Sequence, residues 1–188
     1  ALLIALADCG GLWPLEKVTG ALAGLADAAV SAALNFGLHE AAEAGKFKPA
    51  NPDEPSQDSG VVILALGKHG AQELNYSSDI DIVVFYDAEK APLADNVEPT
   101  PFFVRIVKFI VKALQERTAD GYVFRVDLRL RPDPASTQVA MTSSVTGSPM
   151  TVANLRTSGP VSKQCHITPA AAQIRFGHDD HRTRAGDR

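Results

Sequence analysis

Apolar residues recur at three- and four-residue steps through Leu15, Val18, Leu22, Leu25, Ala29, Ala33 and Phe36. That period predicts a helix over residues 15–44, with Thr19 able to cap a start. Residues 45–60, GKFKPANPDEPSQDSG, hold three prolines and no apolar period, and read as a surface linker. Val61–Leu66 is a short continuous apolar run rich in β-branched residues, which predicts a buried strand. DIDIVVFY (residues 79–86) and YVFRVDLRLR (residues 122–131) have strand composition, and the second alternates cleanly. Between them Thr100-Pro101 is the favoured order for a helix start, and Phe102, Ile106, Phe109, Ile110, Ala113 and Leu114 supply its apolar face. Gly121 suits the left-handed residue that stops a helix. Beyond residue 140 neither period survives, Ser and Thr are abundant, and poor order is expected. The fold class is therefore α+β: a small mixed β-sheet flanked by helices and preceded by a helical segment. Residues 1–44 form that segment, 45–60 the linker, 61–139 the core and 140–188 an atypical tail.

Composition leaves this picture intact. The chain has 188 residues, 45% of them hydrophobic and 21% charged, which suits a globular domain. No uninterrupted apolar run approaches the roughly 18 residues a membrane span needs. The first residue is Ala, so the chain reads as a fragment, and the apolar Ala1–Ala7 reads as a buried helix end rather than a secretion signal, because it lacks a basic leader. Residues 1–139 carry 12 Lys and Arg against 19 Asp and Glu, an acidic balance that argues against bulk-charge binding of nucleic acid. Cys9 and Cys165 form no CxxC pair, and a reduced, cytoplasmic setting is expected.

The chemistry concentrates in three places. Strand alternation puts Asp79 and Asp81 on one face, their Cα atoms about 6.5–7 Å apart, with Ile80, Ile82 and Val84 turned to the core. Two carboxylates so close call for positive charge between them, and divalent cations about 3.5–4 Å apart would bridge phosphate oxygens there. Asp127 shares a face with Arg125, Arg129 and Arg131 on the later strand, and guanidinium groups grip phosphate bidentately. Gly67 ends the first strand, where a bare backbone admits phosphate, with Lys68 as a point charge beside it.

Leu66–Phe85, LGKHGAQELNYSSDIDIVVF, resembles a signature of the glutamine synthetase adenylyltransferase family, bifunctional enzymes of nitrogen regulation with two nucleotidyltransferase-fold domains. Thr118–Pro132, TADGYVFRVDLRLRP, resembles the family's second signature, and ALLIALADCGGLWPLEK is similar to the helical segment ahead of its first catalytic domain. The resemblance covers roughly residues 1–138 and implies a nucleotidyltransferase-like sheet. The second stretch is more like the N-terminal domain, which removes AMP from glutamine synthetase by phosphorolysis and releases ADP. The C-terminal domain performs the forward transfer of AMP from ATP, which is the close alternative.

By position, the resemblance implies Asp79, Asp81 and Asp127 as catalytic carboxylates and Mg²⁺ ligands, with two ions expected. It implies Gly67, Lys68, Ser78, Arg129 and Arg131 as the nucleotide-binding set for ATP, ADP or AMP. Glutamine synthetase would be the protein substrate and a PII-type nitrogen-signalling protein the regulator, with neither nucleic acid nor a membrane involved. His69 stands where the family usually has an apolar residue, and reads as a surface or packing histidine. Beyond Ala140 the family's Trp-Glu-Arg-like and Lys-Ala-Arg-like motifs are not legible, so the tail reads as a different reading frame joined on. That break keeps open an inactive remnant that binds nucleotide or a partner.

Overall fold

The computed structural model of the chain describes residues 1–128, together with short strands at 140–142 and 166–167. Helix α1 spans Leu2–Cys9 and α2 spans Leu15–Glu43. Helix α1 buries only Ile4 and Ala7 and leaves Leu2, Leu3 and Leu6 exposed, so the expected buried helix end is mostly a surface one. Pro14, with extended backbone, precedes α2, and Thr19 is no cap: it lies inside the helix and its hydroxyl donates to the Glu16 carbonyl. The buried stripe is Val18, Leu22, Ala23, Ala26, Val30, Ala33, Leu34 and Leu38, whereas Leu15 and Phe36 are 70% and 59% exposed. The stripe read from the sequence advances seven residues per two turns, and a straight helix outruns such a repeat by about 20° per heptad. Its two ends accordingly leave the core. By length and composition α2 could also cross a membrane, contrary to the first reading, because alanines and glycines dilute its charges. Half of that stretch is buried within the fold, as befits a core helix.

Strand β1, Val61–Leu66, and strand β2, Ile80–Tyr86, pair antiparallel from Val61↔Tyr86 to Leu66↔Asp81. A single helical turn, α3 (Gly67–Gly70), leaves the end of β1. Helix α4 spans Pro99–Gln115 and begins after Glu98, two residues before the start read at Thr100-Pro101. Thr100 instead meets the Tyr86 hydroxyl at 2.7 Å. Gly121 has φ +100° but sits beyond the helix, in a turn where its amide donates to Thr118 O and its carbonyl accepts from Thr118 N. Strand β3 is only Val126–Asp127, parallel to β2, because Val123 and Phe124 first donate their amides to the Leu114 carbonyl. Strand β4 (Ala140–Thr142) runs parallel along the remainder of that edge of β2, and β5 (His166–Ile167) pairs antiparallel with β1. Arg129, Arg131 and the rest of the tail fall outside the described residues. The architecture is the expected α+β one, a small mixed sheet with helices packed on it.

The core lies between α2, α4 and one sheet face: Leu34, Leu38, Ile63, Ile80, Ile82, Val84, Phe103 and Ile110 are all nearly inaccessible. Phe47, inside the proline-rich stretch, is buried against Phe102 with ring centroids 5.9 Å apart. Ser56 donates its amide to Asn35 Oδ1 on α2, so that stretch is pinned to the helix. Ile82 is central and fully buried, and Ile82→Ala is expected to cost about 2–5 kcal/mol through lost burial and an unfilled cavity. Urea denaturation checks this, with Phe36→Ala as the exposed comparison.

Candidate active site

The end of β1 and the start of β2 build the site. Leu66 is the last residue of β1, and Gly67 turns the chain with φ +57°, a conformation that L side chains adopt only under strain. A methyl group there would also collide with the Asp81 carboxylate, which is the cross-strand partner of Leu66. Gly67 therefore leaves room for a carboxylate, and Lys68 follows it, exposed to solvent. The turn is closed by Ala71 donating to the Gly67 carbonyl and Glu73 to that of Lys68. Leu74, fully buried, anchors the connection onward, and Tyr76 ties it to α1 by donating to Asp8 Oδ2 at 3.0 Å. Partial desolvation and then the Asp8 carboxylate hold that phenol above its ordinary pKa of 10.0.

The parallel register pairs Ile80 with Val126 and Asp81 with Asp127. Directly paired residues on adjacent strands point to the same side, so the two carboxylates stand next to each other, their backbones about 4.8 Å apart. Both are half-buried, whereas Ile80, beside them, faces the helices and is inaccessible. Asp79, one residue ahead of the strand, is exposed and turned aside: Arg125 Nε donates to its Oδ1 at 2.5 Å, and the same guanidinium donates to the Ser77 carbonyl at 2.6 Å. Among the described residues no three acidic, His or Cys side chains converge as a ready cation cage. The structure thus brings Asp81, Asp127 and Gly67 together, with Lys68 and half-buried Ser78 nearby in the chain, and holds Asp79 in an ion pair at the margin.

Two features escaped the sequence reading. Arg125 was grouped with the phosphate-side arginines but serves as the partner of Asp79. His69 is the packing histidine of the two readings and not the surface one, and it has a polar partner that the reading lacked: it is fully buried, and its Nε2 lies 2.8 Å from Asp27 Oδ1 on α2. The signal was present, since Asp27 is a lone acid within the alanine-rich buried stripe of α2, and such a group requires a partner.

Oxygen donors of the Asp81–Asp127 kind suit Mg²⁺, which is commonly held by one or two carboxylates plus substrate phosphates. A divalent cation would add positive charge where the register sets two carboxylates side by side. On its donor chemistry, then, the pair fits the ion.

The family model for glutamate-ammonia ligase adenylyltransferase matches residues 1–147. The chain is 60% identical over 144 residues to a bifunctional glutamine synthetase adenylyltransferase/adenylyl-removing enzyme of Xanthobacter autotrophicus, a match covering 77% of this chain and 15% of that protein. Proteins of the same description from a Bradyrhizobium species and from Rhodopseudomonas palustris are 58% and 57% identical over 143 residues, each match covering 76% of this chain and 14% of the relative. The chain thus spans about a seventh of the length of these curated relatives. With the match extending over more than three quarters of its residues, the chain belongs to the glutamate-ammonia ligase adenylyltransferase family.

Proposed function

We propose that this chain supplies the nucleotidyl-transfer site of a glutamine synthetase-modifying enzyme, acting in the direction that removes AMP from a modified tyrosine. The observation that carries this reading is the Asp81–Asp127 pair in register beside Gly67, on the strand-and-turn motif of a nucleotidyltransferase. A phosphate oxygen attacks the phosphorus of the AMP–tyrosine ester, the bond to the phenolic oxygen breaks, the phenolate takes a proton, and ADP leaves. In-line transfer of this kind needs alignment and charge neutralisation more than covalent help from the protein. Mg²⁺ held by Asp81 and Asp127, with Asp79 joining once released from Arg125, would supply that neutralisation at the entering and leaving oxygens. Gly67 gives the Asp81 carboxylate its place at the edge of the nucleotide-binding set, where Lys68 would offer a phosphate group a mobile ammonium and Ser78, Arg129 and Arg131 would complete the contacts. A cytoplasmic setting and control by a PII-type protein accompany this reading.

The test is to incubate the chain with AMP-modified glutamine synthetase, inorganic phosphate and Mg²⁺, and to follow ADP. Phosphate-dependent ADP release is expected. Incorporation of AMP from labelled ATP without such release would assign the forward reaction, and neither product would sink the enzymatic reading.

A further inference from the structure

The buried Asp27–His69 contact lies outside the chemistry above, yet it joins the middle of α2 to the turn that follows Gly67 and Lys68. His69 is inaccessible and Asp27 is 8% exposed. Imidazole Nε2–H donates to the carboxylate, and a hydrogen bond shielded from water is both stronger and more directional than an apolar contact. The turn it holds is only four residues long. It begins in the left-handed conformation at Gly67 and is followed by a second left-handed residue, Gln72, at φ 61°. So short a turn gains little stability from helix formation itself, and the His69–Asp27 hydrogen bond ties it to α2.

We propose that Asp27 and His69 are positioning residues: together they hold the Gly67-Lys68 turn against α2 so that it meets the phosphates of a bound nucleotide. This rests on the nucleotidyl-transfer reading. The consequence is selective, because the pair acts on phosphate recognition and not on the adenosine moiety.

The experiment measures Mg²⁺-ATP and adenosine binding to the whole chain by calorimetry, for the wild type, Asp27→Ala, Asp27→Asn and Lys68→Ala. Asp27→Ala is expected to weaken ATP at least about tenfold with adenosine unchanged, and Asp27→Asn, which keeps an acceptor for His69, to restore most of the loss. If Lys68→Ala binds ATP as tightly as the wild type, the nucleotide reading itself fails. If Lys68→Ala weakens ATP and a folded Asp27→Ala does not, that reading stands and the positioning role is overturned. Should Asp27→Ala fail to fold, the Asp27→Leu/His69→Leu double variant fills the same space without the hydrogen bond. It is expected to melt near the wild type and still lose ATP affinity about tenfold, and unchanged affinity in it overturns the proposal.

Discussion

Replacing Asp81 with Asn is expected to lower nucleotidyl transfer by at least about a hundredfold while leaving the fold intact, the scale of losing one preorganised electrostatic contact at a reacting phosphoryl group. The substitution keeps size and shape and removes one charge from a half-buried pair. The folded state is therefore expected to hold, because the strand pairing runs through the backbone, which the substitution leaves alone. The assay is ADP release from AMP-modified glutamine synthetase, with far-UV dichroism to confirm folding. Asp127→Asn should behave alike, since the register gives the two residues equivalent places. Asp79→Asn is expected to have a comparable effect on turnover only if Asp79 exchanges Arg125 for the cation. Near-normal turnover in Asp81→Asn would remove the central residue from the reading.

The second large effect belongs to Gly67. Gly67→Ala places a methyl group where the Asp81 carboxylate stands, on a backbone with φ +57°. The left-handed conformation alone costs about 1–3 kcal/mol for a residue with a Cβ. The collision must then be relieved by moving either the turn or the carboxylate, and both belong to the site. A stability loss of at least about 2 kcal/mol is expected in urea denaturation, together with a loss of Mg²⁺-dependent nucleotide binding. Gly45→Ala is a useful comparison, because it shares a positive φ, +68°, but nothing crowds it. It should show the backbone strain without the loss of binding.

Much of this was legible because the relevant signals are local. Val61–Leu66 was read to the residue, since a run of apolar β-branched residues bounded by glycines has few other uses. Ile80 and Ile82 were assigned to the core by alternation alone, and the outward turn of Asp81 followed. What the sequence could not display was pairing. The approach of Asp127 to Asp81 depends on a parallel register between strands some forty residues apart, and the diversion of Asp79 depends on where Arg125 finds an acceptor. The start of α4 was misplaced because Pro99 and Pro101 both suit a first helical turn, and tertiary contact, with Thr100 drawn to Tyr86, decided between them. The start of the apparent strand over 122–131 is drawn away from the sheet by two amides that serve the end of α4, a demand invisible in any alternation pattern, while 129–131 lie outside the described residues.

The two-residue length of β3 carries a consequence for how this region tolerates insertions and deletions. Side chains on a strand change sides with every residue, so one amino acid added between the end of α4 and Val126, if not absorbed by the loop, would swing Asp127 toward the greasy side of the sheet and bring Val126 out in its place. The exposed turn around Thr118–Gly121 is the natural place to take up such a change. Spacing in this short connection is thus as much a part of the chemistry as the acid it delivers.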